Sequence, residues 1–450
     1  MRKVFVFLFI MAFLADVKSQ EALVISGHLL TDQRLGMKHD NPWLWNENRL
    51  SLQFNKRSNK LRFQSEVWVR HLGMPQYENL ADLSNKDKVQ ALSLDLREAS
   101  VNIRGFLFEP LDLKIGRQRI AWGTADKFNP TDNLNPYDLE DILDFGRHNG
   151  SEAVSTIWNF SGTTSLQMVY IPFFRPANLP LEPFSGLLSG PEPTLEEWEI
   201  ASIENNTFPP KFNLKEGAIF GSRLKSSIRN TDVSLSYVYG RDGFPLPAKT
   251  TIQVLQNFYS TSIVNELVFP RYHIFGADLA GSIGSVGVWS EAALFLPKEE
   301  FKQTTFFIYD PRLDPHVYDT ILMEKKPFLK FVLGADYTFK DGSYINVQYL
   351  HGFVHERGHG QLNDYLLFGW EKRFSSDKWL IRPIAGGIAT TEFKDFSKNY
   401  GLIYSPEITY KGIDNLEIVI GAYIFEGNGG NLFNGLKDFN MIAGKMKYSF

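Results

Sequence analysis

Apolar and polar residues alternate along many short stretches of this chain. In the segment that ends at Phe450, the residues Ile442, Met446 and Tyr448 alternate with polar or small ones. A period of two is typical of a β-strand that has one face in an apolar medium and the other in water. The pattern therefore predicts strands that cross a membrane with lipid on one side.

Short turns join these strands in pairs. At the clearest turn, 340–343, Leu329 and Leu333 precede the turn on one face, and Ile345 and Val347 continue that face after it. Asp-Gly at the centre is a typical hairpin signal. Seven comparable turns occur, at Lys56–Lys60, Gly105–Pro110, Ser161–Thr163, Arg229–Thr231, Gly281–Ser285, Ser375–Lys378 and Lys411–Asn415. We predict eight hairpins.

Longer polar segments separate the hairpins. They lie near residues 32–46, 72–89, 123–150, 174–214, 241–267, 297–327, 355–362, 392–400 and 427–437. With a first strand at 22–30 and a last one at 437–450, the count is about 18 strands. The predicted fold is all-β: a transmembrane antiparallel up-and-down β-barrel with short periplasmic turns and long extracellular loops. About 18 strands leave an aqueous channel, whereas about eight fill their interior with side chains.

One predicted strand, Ala91–Arg104, changes its apolar face partway along. Leu94 and Leu96 share one parity, and Val101 and Ile103 take the other. An extra residue in the strand would produce this change, because a β-bulge shifts the alternation by one position. We therefore expect a bulge in the middle of this strand.

Both ends of the chain favour the same compartment. Arg2 and Lys3 precede an apolar run at residues 4–14 that is too short to span a bilayer, and residues 15–20 become polar. This is the pattern of a cleaved signal peptide, assigned to residues 1–20, with the barrel at 21–450. An aromatic carboxy-terminus such as Phe450 is the usual end of bacterial outer-membrane barrels. The predicted location is the outer membrane of a Gram-negative cell.

Composition narrows the classes of function. Cysteine is absent, which excludes disulfides, thiolate metal sites and cysteine nucleophiles. The net charge is only -4 and the basic residues are dispersed, so nothing indicates nucleic-acid binding. The chain is 43% hydrophobic without a long apolar helix, as expected where every second residue of a strand contacts lipid.

Many charged residues occupy positions predicted to face the lumen. Those singled out are Arg62, Glu66, Arg70, Asp95, Arg97, Lys114, Arg223, Asp336 and Glu371. Basic groups dominate the first half of the chain and acidic groups the second. Two interpretations stay open: a transverse field that orients solutes, or ladders of ion pairs along a wet wall.

The most distinctive part of the chain is residues 116–180. It contains Gly-Arg-Gln at 116–118, Trp-Gly at 122–123, paired Asn-Pro at 129–136, and Phe-Arg-Pro with Leu-Pro at 174–180. Over these roughly 65 residues the chain resembles a family of poorly characterised Gram-negative outer-membrane proteins, described as porin-like and loosely similar to alginate-export-type channels. The rest of the chain resembles the family only in its general pattern of barrel strands, turns and loops.

The resemblance implies a wide monomeric barrel in which the third outer loop folds inward and narrows the pore. It implies no catalytic residue, no cofactor and no particular solute. We expect a channel for passive diffusion of small hydrophilic or amphiphilic solutes, with outer-membrane lipid and these solutes as partners and protein partners left open. The residues expected at the pore constriction are Arg117, Arg119, Asp126, Asp132 and Arg147.

Three alternatives use other residues. His355-Glu356-Arg357-Gly358-His359 fits the H-E-x-x-H pattern of zinc proteases, but the surrounding glycines and the adjacent strand oppose the helix that the motif needs. The alternative function is an outer-membrane barrel enzyme or a metal-binding receptor. It would use the connection that carries His351, His355 and His359.

Two loops carry further expectations. The acidic loop with Asp132, Asp138 and Asp141 supplies oxygen ligands for calcium, although its spacing is not that of an EF-hand. In the long loop at 174–214, the stretch Thr194–Glu204 is predicted to form a short helix.

Overall fold

A computed structural model describes residues 22–38, 43–188, 198–255 and 259–450. The signal peptide expected at 1–20 lies outside the described residues. The strands of the described part are β1 (Val24–Gly36), β2 (Trp43–Arg57), β3 (Leu61–Leu72), β4 (Leu92–Ile103), β5 (Leu111–Gln118), β6 (Ser151–Asn159), β7 (Thr164–Ile171), β8 (Glu199–Thr207), β9 (Ile219–Ile228), β10 (Thr231–Arg241), β11 (Leu246–Val254), β12 (Ser260–Val268), β13 (Arg271–Ile283), β14 (Val286–Pro297), β15 (Phe301–Ile308), β16 (His316–Met323), β17 (Phe328–Thr338), β18 (Ser343–His351), β19 (Asp364–Phe374), β20 (Trp379–Thr390), β21 (Tyr400–Tyr404), β22 (Glu407–Ile413), β23 (Leu416–Gly427) and β24 (Met441–Ser449).

Nineteen of these strands form one antiparallel sheet that closes on itself, because β1 pairs with both β2 and β24. β21 and β22 are two parts of one wall strand, since each lies between β20 and β23. The ring therefore has 18 strand positions. This confirms the predicted closed up-and-down barrel and its strand number.

The connections differ at the two ends of the barrel. All eight predicted hairpin turns are present and lie at one end, which we call the turn end. The longer connections lie at the other end, the loop end. Closure of the ring leaves no unpaired edge among its strands, which is how a barrel satisfies its backbone hydrogen bonds in lipid.

The predicted bulge lies in β4. Glu66 of β3 pairs with Glu98 and the next residue, Val67, pairs with Leu96, so Arg97 is the extra residue. Both Arg97 and Glu98 consequently face the lumen, and the outward parity changes from Leu96 to Val101. The expected cause of the parity change is confirmed.

Side-chain exposure separates the two faces of the wall. Along β17, Leu329 is 44% and Leu333 is 49% exposed, whereas Val332 between them is fully buried. Apolar residues exposed in this way form the lipid-facing surface of a membrane barrel. The buried parity faces the interior of the ring.

A second sheet lies outside the ring and is built from three connections of the loop end. Its strand order is β16-β15-β11-β12-β8. The predicted helix at 194–204 is wrong for its described part, because residues 199–207 form β8 and pair in parallel with β12; residues 189–197 lie outside the described part. Strand pairing with a neighbouring loop overrides the local helical signal here.

Only short helical turns occur among the described residues, at 82–84, 86–89, 185–188, 396–398 and 432–435. Within that part of the chain, no helix combines the length and the apolar character needed to cross a membrane.

Candidate functional site

Residues 119–150, which connect β5 to β6, run through the inside of the barrel; we call them the crossing loop. One end of the crossing loop is held by ion pairs to a wall formed by β1, β3 and β4. The pairs are Arg34 with Asp141 at 2.8 Å, Arg70 with Glu140 at 2.8 Å and Arg97 with Asp138 at 2.7 Å. Each strand thus contributes one arginine to a different carboxylate of the crossing loop.

These pairs are removed from water. The Arg34 and Asp138 side chains are fully buried, and Asp141 is 5% exposed. Burial alone would raise the pKa of the Asp141 carboxyl, but the Arg34 guanidinium outweighs it and holds that pKa well below its ordinary value. Arg147 and Arg97 likewise lower the pKa of Asp138 against the effect of burial. Both carboxylates therefore stay ionised and bound.

A tryptophan orders the arginines of this wall. The Trp68 ring lies 4.1 Å from the guanidinium of Arg49 on one side and 4.1 Å from that of Arg97 on the other. Stacked guanidinium groups lose little further freedom when they bind a carboxylate. We call Arg34, Arg49, Arg70 and Arg97 the arginine wall.

The opposite part of the crossing loop is held by one carboxylate. Glu291 of β14 accepts hydrogen bonds from the backbone N–H groups of Thr124, Ala125 and Thr131, from the Thr131 hydroxyl and from the Asn129 amide. A buried carboxylate needs such donors, because an unpaired one would be costly. Glu291 is fully buried beneath the loop.

Two glycines lie where the backbone passes very close to other groups. Gly123 has φ +93°, and a Cβ there would lie 2.5 Å from a Glu291 carboxylate oxygen. Gly116 has φ +119°, and a Cβ there would lie 2.3 Å from the Ala99 carbonyl oxygen. The glycine of the Trp-Gly motif is therefore required where the crossing loop passes Glu291, and the glycine of the Gly-Arg-Gln motif is required where β5 lies close to the backbone of β4.

Apolar packing fixes the crossing loop between these two anchors. Ile120, Trp122 and Leu134 of the loop pack in one cluster with inward residues of the β6–β14 wall. The Trp122 indole also donates a hydrogen bond to Gln167 of β7 at 2.9 Å. This part of the lumen is filled by side chains.

A gap remains on the β20–β24 side. It has a volume of about 250 Å³, against about 70 Å³ for the cavity between the loop and the β13–β18 wall. The crossing loop contributes Lys127, Phe128, Leu143 and Phe145 to this gap, and the wall contributes chiefly Arg382, Glu407, Val419, Gly421, Tyr423, Ala443 and Lys445. Several wall residues there are small, so side chains do not fill this space.

The five residues expected at the constriction do not form one ring. Arg119 pairs with Asp132, and Arg147 pairs with Asp138 beside the arginine wall. Asp126 is exposed next to Lys127, at the gap. Arg117 does not belong to the lumen.

Arg117 lies on the outer surface of the barrel, so its expected place at the constriction is wrong. It continues the parity of the outward residue Ile115, and it pairs with Glu152, which continues the parity of the outward residue Val154. Its guanidinium binds the Glu152 carboxylate at 3.0 Å, and Arg175 binds the same carboxylate at 2.9 Å. Arg117 is thus part of an ion-paired cluster on the outer surface of the barrel.

The strand register places the nine expected lumen charges on the inward parity. Most of them are paired, as in Lys114 with Glu98 at 2.7 Å, Arg223 with Asp278 at 3.4 Å and Arg382 with Glu371 at 2.6 Å. Pairing of neighbours is the pattern of an ion-paired ladder. The acids of the crossing loop that were expected as calcium ligands are paired with arginines: Asp132 with Arg119, Asp138 with Arg97 and Asp141 with Arg34.

The H-E-x-x-H segment adopts no helix. Glu356 accepts hydrogen bonds from Phe353 N–H, from Asn363 N–H and Nδ2, and from the Tyr365 hydroxyl, so it organises the 351–364 connection. His351 faces outward and contacts Asp364 at 2.7 Å. In the described part of the chain, no three His, Cys, Asp or Glu side chains gather as a metal site.

Sequence reasoning missed several residues of this site. None of the predictions assigns Glu291 or Arg34 as an anchor of the crossing loop, or Arg382 and Lys445 as residues of the gap. Lys330 is buried, and its ammonium donates to the carbonyls of Phe353 and Val354. A charged residue on the inward parity of a wide barrel is a signal for such contacts, but it does not identify the partner, which lies 23 residues away for Lys330, 107 for Arg34 and 160 for Glu291.

No family model and no curated protein matches this chain. Solved porins align with it over nearly the whole length at low similarity. The Salmonella typhi OmpF complex with daunomycin covers 95% of this chain and 97% of that chain at 9% identity, TM-score 0.41. Pseudomonas aeruginosa OccK11 covers 95% and 96% at 9% identity, TM-score 0.48. P. aeruginosa OccD3 covers 96% and 94% at 9% identity, TM-score 0.47. The barrel architecture rests on the strand pairing described above.

Proposed function

We propose that this protein is an outer-membrane channel through which small hydrophilic or amphiphilic solutes diffuse passively. The observation that supports this most strongly is the gap between the crossing loop and the β20–β24 wall. The crossing loop packs against the β6–β14 wall, so in this proposal solutes pass along the β20–β24 wall. Residues 1–20 act as the secretion signal, and residues 21–450 form the barrel.

The chemistry of the gap sets which solutes pass. Lys127, Arg382 and Lys445 place positive charge there, and Glu407 places negative charge beside Arg382, at 3.7 Å from it. Phe128, Phe145 and Tyr423 add apolar surface. A passage of this kind selects by width and by the field of a few charged side chains, without a tight binding step.

An enzymatic role has less support. The glutamate of the H-E-x-x-H segment already accepts four hydrogen bonds from its own connection, so it has no free oxygen aimed at a metal-bound water. His355 packs edge-on against Phe353, with ring centroids 5.6 Å apart. We propose no catalytic residue and no cofactor.

The test is single-channel recording of the refolded mature chain in planar bilayers in potassium chloride, with and without zinc, followed by swelling of liposomes in neutral sugars. We expect stable current steps that zinc does not change, and swelling rates that fall as the sugar grows. A folded barrel that conducts no ions and passes no sugar would overturn the proposal.

A further inference from the structure

A segment of unusual character lies on the outside of the barrel at the loop end. Residues 208–218 join β8 to β9; we call them the rim segment. Phe212 is 72% and Leu214 is 66% exposed, and Lys211 and Lys215 beside them are also exposed. Apolar tips flanked by lysines are the composition of segments that lie in a membrane interface.

Two outward arginines fix the rim segment against the barrel wall. Arg241 and Arg271 pair directly across β10 and β13 and share the outward parity of Leu235 and Phe275. Arg271 donates hydrogen bonds to the carbonyls of Lys215, Glu216 and Ala218, and Arg241 donates to that of Glu216 at 2.8 Å. Arg271 is only 5% exposed because the rim segment covers it.

These contacts determine where the rim segment points. Its backbone lies on the outer surface, and the Phe212 ring meets the Phe173 ring edge-on at 6.0 Å, next to the end of β7. Below it on the outward face lie Tyr170 and Phe220, whose rings are 5.2 Å apart. Outward aromatic residues near one end of the strands mark the level of the lipid headgroups.

The surface around the rim segment carries excess positive charge. Lys211, Lys215, Arg117 and Arg175 outnumber Glu152 and Glu216, and the Arg175 side chain is 47% exposed. Basic side chains beside inserted apolar ones bind phosphate groups of lipids, because the stems lie along apolar surface and the heads reach the headgroups.

We propose that the rim segment is a lipid anchor: Phe212 and Leu214 insert into the outer leaflet, and Lys211 and Lys215 bind the phosphates of an anionic glycolipid. This rests on the proposed outer-membrane location, with the loop end facing outward. The anchor holds the β7–β13 sector of the rim at a fixed depth.

Spin labels test the insertion. The chain has no cysteine, so Leu214→Cys gives a single labelling site, and Leu313→Cys in the β15–β16 connection, also 66% exposed, is the matched control. In vesicles of phosphatidylcholine with phosphorylated lipid A, we expect the label at 214 to be accessible to oxygen and shielded from a water-soluble nickel chelate. The label at 313 should show the reverse. A label at 214 that is as accessible to the chelate as the control overturns the anchor.

Lysine variants test the lipid class. Lipid A is titrated into the labelled barrel held in phosphatidylcholine nanodiscs, and label mobility at 214 reports binding. Lys211→Gln with Lys215→Gln should weaken the apparent affinity by about fivefold for each lysine, whereas Lys302→Gln in β15 with Lys326→Gln in the β16–β17 connection should leave it unchanged. Equal affinity in both double variants overturns the phosphate assignment.

A second copy of the chain is the competing occupant. Shielding at 214 that disappears when the protein is diluted among vesicles would assign the rim segment to contacts between copies and overturn the proposal. None of these outcomes bears on conduction: a barrel that conducts ions but keeps position 214 in water refutes the anchor and leaves the channel intact.

Discussion

The arginine wall and the β20–β24 wall face the same crossing loop, but the first binds it through ion pairs and the second leaves a gap beside it. At the arginine wall, three guanidinium groups bind three loop carboxylates away from water. At the β20–β24 wall, Gly421 and Ala443 leave a gap of about 250 Å³ lined by accessible charges. One wall fixes the loop and the other leaves room for solute.

The comparison separates two uses of charge in one lumen. Burying a pair such as Arg34 with Asp141 costs desolvation free energy, which their attraction offsets only when both partners are present. Such pairs therefore hold the crossing loop in position. Partly exposed charges such as Arg382 and Lys445 remain within reach of water and ions, so in the proposed channel they are the charges expected to act on solutes. The number of lumen charges alone does not tell which are which.

The largest effect is expected from Arg34→Ala. It leaves Asp141 buried without its paired cation, whereas Asp32 keeps Lys445 at 3.2 Å; the loss costs about 3–5 kcal/mol and should release the crossing loop from the arginine wall. Conductance should rise, and trypsin should cleave the loop at Lys127 or Arg147. Arg223→Ala is the control, because Arg223 pairs with Asp278 on the wall. Unchanged conductance and protection would contradict this role of the arginine wall.

Glu291→Gln should have the next largest effect. The variant loses the charge that holds five donors of residues 124–131, at a cost of roughly 2 kcal/mol. Amide hydrogen exchange should accelerate at Thr124 and Thr131. Exchange near Asp141 should stay slow, because the arginine wall is intact. Glu98→Gln, which alters a pair between neighbouring strands, should leave the exchange at 124–131 unchanged; acceleration there would show a nonspecific loss of stability.

A smaller effect should follow from Arg382→Gln at the gap. Removing one accessible positive charge should move the reversal potential in a salt gradient toward cation preference, with a modest change in conductance. Lys225→Gln, on β9 away from the gap, provides the comparison. An equal shift in both variants would mean that the gap is not the place of selection.

Acid pH should act on stability in two separate ranges. The pKa of Asp141 is depressed, so its pairing with Arg34 stabilises the fold above pH 3.8, the ordinary value, and is lost only as pH falls through the lower folded value.

Burial lowers the pKa of His355 from 6.5 to about 4, so stability should fall between these values as pH decreases. Thermal unfolding at pH 7.5, 5.5 and 4 should show this decline, and His355→Asn should reduce it; the rest is expected from His148 of the crossing loop, whose pKa burial also lowers. His359→Asn at an exposed site should keep it.

Much of the fold was predictable because it is local. A hairpin turn such as 340–343 and a parity change such as that between Leu96 and Val101 are written in a few consecutive residues, and both predictions are confirmed. The strand at 199–207 was not, because it depends on pairing with β12, which lies about 60 residues further along the chain.

The site depended on longer-range contacts. The sequence indicated a distinctive loop with paired Asn-Pro and many acids, but not that Asp141 binds Arg34 or that Glu291 accepts five hydrogen bonds. The outward position of Arg117 also escaped, since charged residues are expected in the lumen and an ion-paired exception at the rim has no local signal. Partner choice in a barrel is set by strand register across the whole ring.

Thiol block of the gap tests the central claim most directly. The chain has no cysteine, so Val419→Cys places one thiol at the gap, Ile420→Cys places one on the lipid face, and Ala153→Cys places one beneath the crossing loop. Single-channel current is recorded while a sulfonated thiol reagent is added. We predict block at 419 and none at 420 or 153. Block at 153 without block at 419 would contradict a passage along the β20–β24 wall.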